Sequence, residues 1–178
     1  MSGEGRNRML SASPILVLMG PSGTGKSTVG AMLSGRLGWP FQEGDDLHPA
    51  ANVEKMRRGH ALTDADRIPW LELVAAWIDE RRAAGEPGIV TCSALKRSYR
   101  DILRRDNVTF VNFTGDAAVV RDRMMRRQGH FMPPALLDSQ FATLEAPGPD
   151  EQAIDIDIAL PPEDQAALVA SALRLEGS

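Results

Sequence analysis

Gly20-Pro21-Ser22-Gly23-Thr24-Gly25-Lys26-Ser27 follows the unbroken apolar run Ile15-Leu16-Val17-Leu18-Met19 and precedes a stretch where Val29, Met32, Leu33 and Leu37 recur at helical spacing. Such a run is how a strand buried on both faces of a parallel sheet reads. The i, i+3, i+4, i+8 stripe, stopped by Gly38, predicts an amphipathic helix over 26–37. Between the two lies the spacing Gly-x4-Gly-Lys-Ser. Glycines there let the chain curl and bring backbone N–H groups against phosphate oxygens, and the helix starting near Lys26 points its partial positive end the same way. Gly20, Pro21, Ser22, Gly23, Thr24, Gly25, Lys26, Ser27 and Thr28 are therefore expected to cradle nucleotide phosphates. Lys26 is expected to reach the β- and γ-phosphates and the Ser27 hydroxyl to ligate Mg²⁺.

Outward from this unit the alternation repeats. The sequence predicts an extended piece around 39–42, a helix from Pro49 to Arg58, and a helix over 67–84 with Trp70, Leu71, Val74, Trp77 and Ile78 on one face. A strand at Gly88–Cys92 follows, then a basic helix at Arg97–Arg105 turned inward through Tyr99, Ile102 and Leu103. Next come a strand at Val108–Phe113, a helix at Asp116–Arg127, a loop at 128–134 and a helix over 134–143. A strand at Ile154–Ile158 and a helix at Pro162–Leu173 close the chain. Strands alternating with helices predict an α/β fold, a parallel sheet covered on both faces.

At 178 residues the chain fits one domain, taken as 14–178, behind a leader at 1–13 expected to be disordered. A net charge of -4 argues against non-specific nucleic-acid or anionic-membrane binding, so an anionic ligand must meet a local cluster of Lys and Arg. A single cysteine, Cys92, precludes an intrachain disulfide and fits a reducing, cytoplasmic location. No apolar run approaches the ~18 residues of a membrane-spanning helix.

A phosphoryl acceptor hydroxyl needs a carboxylate to orient it or take its proton. Asp45 follows the second strand, at the carboxyl edge where ligands of open α/β sheets sit. Asp45, directly or through water, is also the expected second contact of Mg²⁺, because the strand at 88–92 ends in Ser93-Ala94-Leu95 and not in an acidic pair. His48 can bond substrate hydroxyls or satisfy a backbone carbonyl, and Asp46 reads as a solvated neighbour. Ser93 and Lys96 sit at the next strand's carboxyl edge with Arg100 one turn beyond, placed to face a bound acid. Arg97, Arg104 and Arg105 read as a solvated helix face. Arg121, Arg123, Arg126 and Arg127 crowd one helix end. Arg123 and Arg127, at i and i+4, repel unless an anion arrives, which predicts a mobile lid over about 121–135 that closes on ATP phosphates. Three scattered histidines give no metal-ligand spacing. The Asn-Lys-x-Asp and Asp-x-x-Gly segments of GTPases are absent, leaving a small-molecule kinase or a non-catalytic nucleotide-binding regulator.

At these residues the chain resembles the gluconokinases of the P-loop kinase group. The matching segments are 20–27, Glu-Gly-Asp-Asp-Leu-His-Pro (43–49), Asn-Val-Glu-Lys-Met (52–56) and Leu-Thr-Asp-Ala-Asp-Arg-Ile-Pro-Trp-Leu (62–71). Cys-Ser-Ala-Leu-Lys-Arg-Ser-Tyr-Arg (92–100), Gly-His-Phe (129–131) and Gln-Phe-Ala-Thr-Leu-Glu (140–145) complete them. The resemblance implies transfer of the ATP γ-phosphoryl group to D-gluconate, a homodimer, and five parallel strands with the phosphate loop after the first. Carried onto this chain, it makes Asp45 and His48 acceptor-site residues and places Arg67, Ser93, Lys96 and Arg100 in the group that receives the acid. It makes Arg123 and Arg127 lid residues, counted with Lys26 and Asp45 as catalytic. Shikimate kinases, the nearest enzymatic alternative, carry a glycine triplet where this chain has Cys92-Ser93-Ala94.

Overall fold

The computed structural model describes residues 13–21, 23–126 and 134–174, apart from the side chains at 124 and 134–136. Residues 1–12 of the expected leader, Ser22, Arg127 and the 127–133 part of the expected lid lie outside the described residues.

Five strands, β1 (Ile15–Met19), β2 (Phe41–Glu43), β3 (Gly88–Thr91), β4 (Val108–Thr114) and β5 (Ala153–Asp157), run parallel in the order β2-β3-β1-β4-β5. The described helices are α1 (Lys26–Leu37), α2 (Ala50–Arg57), α3 (Asp64–Ala83), α4 (Arg97–Leu103), α5 (Ala117–Arg126), α6 (Pro134–Thr143) and α7 (Pro162–Ala172). β1 sits between β3 and β4, and all five of its side chains are buried, as an unbroken apolar run requires. Strand alternation then divides them. Ile15, Val17 and Met19 join Trp70, Leu71, Val74, Ile78, Tyr99 and Leu103 of α3 and α4 on one face. Leu16 and Leu18 join Val29, Leu33, Val120, Leu137 and Val169 on the other. Helices therefore cover both faces, and the chain leaves β1 toward opposite edges of the sheet. That switch point opens a crevice at the strands' carboxyl ends.

Three departures from the sequence expectation position the site. β2 begins at Phe41 because Pro40 has no N–H for the ladder and only its carbonyl is used, by Ile89 N at 2.9 Å. The later strand carries Glu43 to the sheet's carboxyl edge, paired in register with Thr91. The turn after it is a 3-10 helix at Gly44–Leu47. A Cβ on Gly44 would stand 1.8 Å from the Thr91 carbonyl oxygen, so only glycine lets this turn press against the end of β3. α3 starts at Asp64 and not at 67. A capping box sets that start: Asp66 N donates to Thr63 Oγ1 at 3.1 Å and Thr63 N donates to Asp66 Oδ2 at 2.9 Å. Pro69 is accommodated in the second turn with its ring exposed. The cap sets the helical phase that turns Arg67 and Trp70 inward.

Candidate active site

Gly25 caps α1 in the left-handed region (φ 94°); as a glycine it puts no side-chain cap on the first turn, and that turn carries no acid. The helix N-terminus is thus open to an anion. Thr24 Oγ1 donates to the Pro21 carbonyl at 2.8 Å, and Gly20 N donates to the Ser93 carbonyl at 3.0 Å, tying the loop to the segment after β3. Lys26 Nζ folds back on the Gly20 and Pro21 carbonyls at 2.6 and 3.0 Å. Burial lowers its pKa, and the charges of Asp45 and Glu43 partly offset that. A desolvated ammonium resting on two carbonyls is poised to exchange them for phosphate oxygens.

Ser27 is exposed beside the loop, and its Oγ donates to Glu43 Oε2 at 3.0 Å. A hydroxyl beside a carboxylate is the hard-oxygen chemistry that suits Mg²⁺. Among the described residues there is no cluster of three His, Cys, Asp or Glu side chains that could hold an ion.

The acceptor side is built by the 3-10 turn and α3. Asp45 is exposed there, its charge acting on Lys26 and His48. The His48 ring stacks on Trp70 (centroids 4.0 Å, 14° between planes), and Trp70 Nε1 donates to the Gly44 carbonyl at 2.8 Å. Asn52 Nδ2 donates to the Asp66 carbonyl at 2.8 Å, which fixes its amide orientation, and lies 3.3 Å from His48 Nδ1. Nδ1 must then accept, so the ring proton sits on Nε2 and His48 offers a donor to a ligand hydroxyl.

Burial pulls the His48 imidazole down from 6.5 to about 4, with Asp45 opposing and Arg67 assisting. Unfolded chains therefore bind a proton here that the folded protein refuses between those values. Stability is expected to fall as pH drops from 6.5 toward 4. Urea unfolding across that range should show the slope in the native chain and a shallower one in His48→Gln.

Arg67 is 7% exposed, and its Nε and Nη1 have no hydrogen-bond partner among the described residues. Its guanidinium lies 5.4 Å from the Tyr99 ring centre. A buried cation with two idle N–H groups carries a desolvation cost that an incoming anion relieves. Lys96 is less free: Nζ pairs with Asp64 at 3.0 and 3.3 Å, and Tyr99 also donates to Asp64. Ser93 is half-buried at the same edge.

Arg100 does not face a ligand, contrary to the sequence expectation. It is fully buried, donating through Nε and Nη2 to Glu151 at 2.6 and 3.1 Å and through Nη1 to the Ala94 carbonyl at 2.9 Å. Glu151 also accepts from Gly148 N at 2.8 Å. The pair clamps the Cys92–Lys96 segment, where Ala94 holds φ 44°. No short-range signal relates Arg100 to Glu151, which lies 51 residues away. Arg97, Arg104 and Arg105 match the solvated-face reading, each paired at the surface with Asp150, Asp101 or Asp79. On α5, Arg121 pairs with Asp138 and Arg126 with Asp122, while Arg123 Nη2 donates to the Ile158 carbonyl at 2.8 Å.

Glu43 and Thr91 were missed by sequence reasoning. Glu43 was detectable as the acid that precedes Gly44-Asp45, but ending the strand at 42 removed it from the sheet edge.

No protein-family model matches the chain. A gluconokinase from Gluconobacter oxydans is 57% identical over 143 residues, 79% of this chain and 80% of that one. The solved structure of a gluconokinase from Sinorhizobium meliloti is 43% identical with TM-score 0.77, covering 94% of this chain and 99% of that one. A sugar kinase from Janibacter is 45% identical with TM-score 0.88, covering 92% and 95%. A shikimate kinase from Aquifex aeolicus, 18% identical with TM-score 0.56, shares the fold alone.

Proposed function

Since the chain belongs to the gluconokinase family, we propose that it moves the γ-phosphoryl group of ATP to the 6-hydroxyl of D-gluconate, giving 6-phospho-D-gluconate and ADP. The observation that carries the choice of an acid as acceptor is Arg67, a buried guanidinium with Nε and Nη1 idle beside His48. It binds the acceptor carboxylate, with Lys96 at the rim held by Asp64 until the acid arrives. His48 Nε2 donates to an acceptor hydroxyl and Ser93 borders the same edge.

In the transfer, the acceptor oxygen forms its bond to the γ-phosphorus as the bond to the β–γ bridging oxygen breaks, and the electron pair leaves with ADP. Asp45 takes the hydroxyl proton. Lys26 exchanges the Gly20 and Pro21 carbonyls for phosphate oxygens and follows the migrating charge. Ser27 would hold Mg²⁺, which when bound would neutralise phosphate charge. Arg123 and Arg127 belong to a lid over about 121–135. A cytoplasmic homodimer is proposed with this reading, on the family resemblance.

ADP release measured with gluconate, other sugar acids and shikimate tests the assignment. Turnover on shikimate with none on gluconate would overturn it. Asp45→Asn is expected to lower kcat by about 10²–10⁴-fold while nucleotide affinity holds, because a positioned base acts only as the hydroxyl proton moves. Normal turnover in that variant would remove Asp45 from the acceptor site.

A further inference from the structure

β3 carries no acid at its carboxyl end, where many P-loop ATPases place the carboxylate that faces the metal. The residue there is Thr91. Its hydroxyl both accepts and donates. Oγ1 accepts from Gly44 N at 3.0 Å and donates to Glu43 Oε2 at 3.0 Å. The same Oε2 accepts from Ser27 Oγ at 3.0 Å. With its proton given to Glu43, the Ser27 oxygen keeps its lone pairs for a cation. Glu43 Oε1 takes no hydrogen bond from the described residues, so one carboxylate oxygen is also left over.

Asp45 is placed differently. It lies in the exposed 3-10 turn, makes no bond to Ser27, and acts electrostatically on Lys26 and His48. The two acids are thus divided between the two halves of the site. We infer that Glu43, aimed by Thr91, supplies the anionic oxygen of the Mg²⁺ site beside Ser27, and that Asp45 serves the acceptor alone. The acid thus stands at the end of β2, and Thr91 at the end of the neighbouring β3 holds it by a cross-strand hydrogen bond.

This rests on the kinase reading, so the test is nucleotide binding and not turnover. Calorimetric titration of the full chain with ADP, with and without Mg²⁺, measures the factor by which the metal tightens binding. Loss of an oriented oxygen partner costs about 10–100-fold in metal affinity. Glu43→Gln is expected to lose about 10-fold or more of the Mg²⁺-dependent tightening while metal-free ADP affinity stays unchanged. Asp45→Asn is expected to retain the whole tightening. Thr91→Val should lose part of it and Thr91→Ser should restore it, which separates aiming of the carboxylate from general damage to the fold. Retained tightening in Glu43→Gln, or its loss in Asp45→Asn alone, would overturn the proposal. A native chain that binds no ADP under either condition would overturn the kinase reading along with it. Intact Mg²⁺-dependent binding with no turnover on gluconate would sink only the acceptor assignment.

Discussion

Lys26→Ala is expected to lower kcat by about 10²–10³-fold, the cost of removing one preorganised charge from developing negative charge on a transferring group. The same substitution is expected to leave the fold as stable as before or more so. In the folded chain Lys26 rests on the Gly20 and Pro21 carbonyls, and burial disfavours its charge. A group whose charged form the fold penalises gives up little stability when it is removed. Activity and stability should therefore move independently. Single-turnover phosphoryl transfer, measured beside urea unfolding, checks both. A variant that unfolds early would show that the lysine holds the loop together, and normal turnover would show that it does not touch the phosphates.

The second large effect is on stability. Arg100→Ala is expected to cost about 3–5 kcal/mol, because it leaves the Glu151 carboxylate buried without its counter-charge. Glu151 is held below the usual carboxylate range, chiefly by Arg100 and also by the Gly148 N–H, with burial opposing. The sign follows. The native pair contributes stability above the unfolded carboxylate's pKa and loses it as pH falls through the lower folded value. Without Arg100 only burial and one N–H remain, the folded pKa rises, and the variant should tolerate mild acid relatively better than neutral pH. Urea unfolding at two pH values reads this directly. Because Arg100 also holds the Ala94 carbonyl, and Ser93 next to it receives Gly20 N, any folded fraction should show a raised KM for the acid. A variant as stable as the native chain would mean that the pair is not closed in solution.

The α/β architecture was legible because its cues are local. The apolar run at 15–19 and the helical stripe at 26–37 state strand and helix in consecutive residues, and Gly25-Lys26-Ser27 marks their junction. Asp45 and His48 were legible as site candidates for the same reason, since their place after a strand is a sequence property. Arg67 entered only through resemblance. Its inward phase comes from the Thr63–Asp66 cap, which a reading that began the helix at 67 passes over. Arg100 was misplaced by the assumption that a residue one turn beyond Lys96 shares its surroundings. On α4 that turn carries the side chain under the loop and out of solvent.

By itself, then, the sequence determined the phosphate cradle, the sheet that bears it and the family to which the chain belongs, because each is written in contiguous residues whose chemistry is independent of the rest. Only the tertiary structure decided which charged groups are tied into the scaffold and which are not. Burial and cross-chain partners make that choice. Arg67 and Arg100 are both buried arginines, yet Arg100 meets a carboxylate 51 residues away while Arg67 forms no ion pair among the described residues. Glu43 and Asp45 are two acids separated by one glycine, yet cross-strand pairing with Thr91 and the bond to Ser27 turn only the first toward the phosphate loop's hydroxyl.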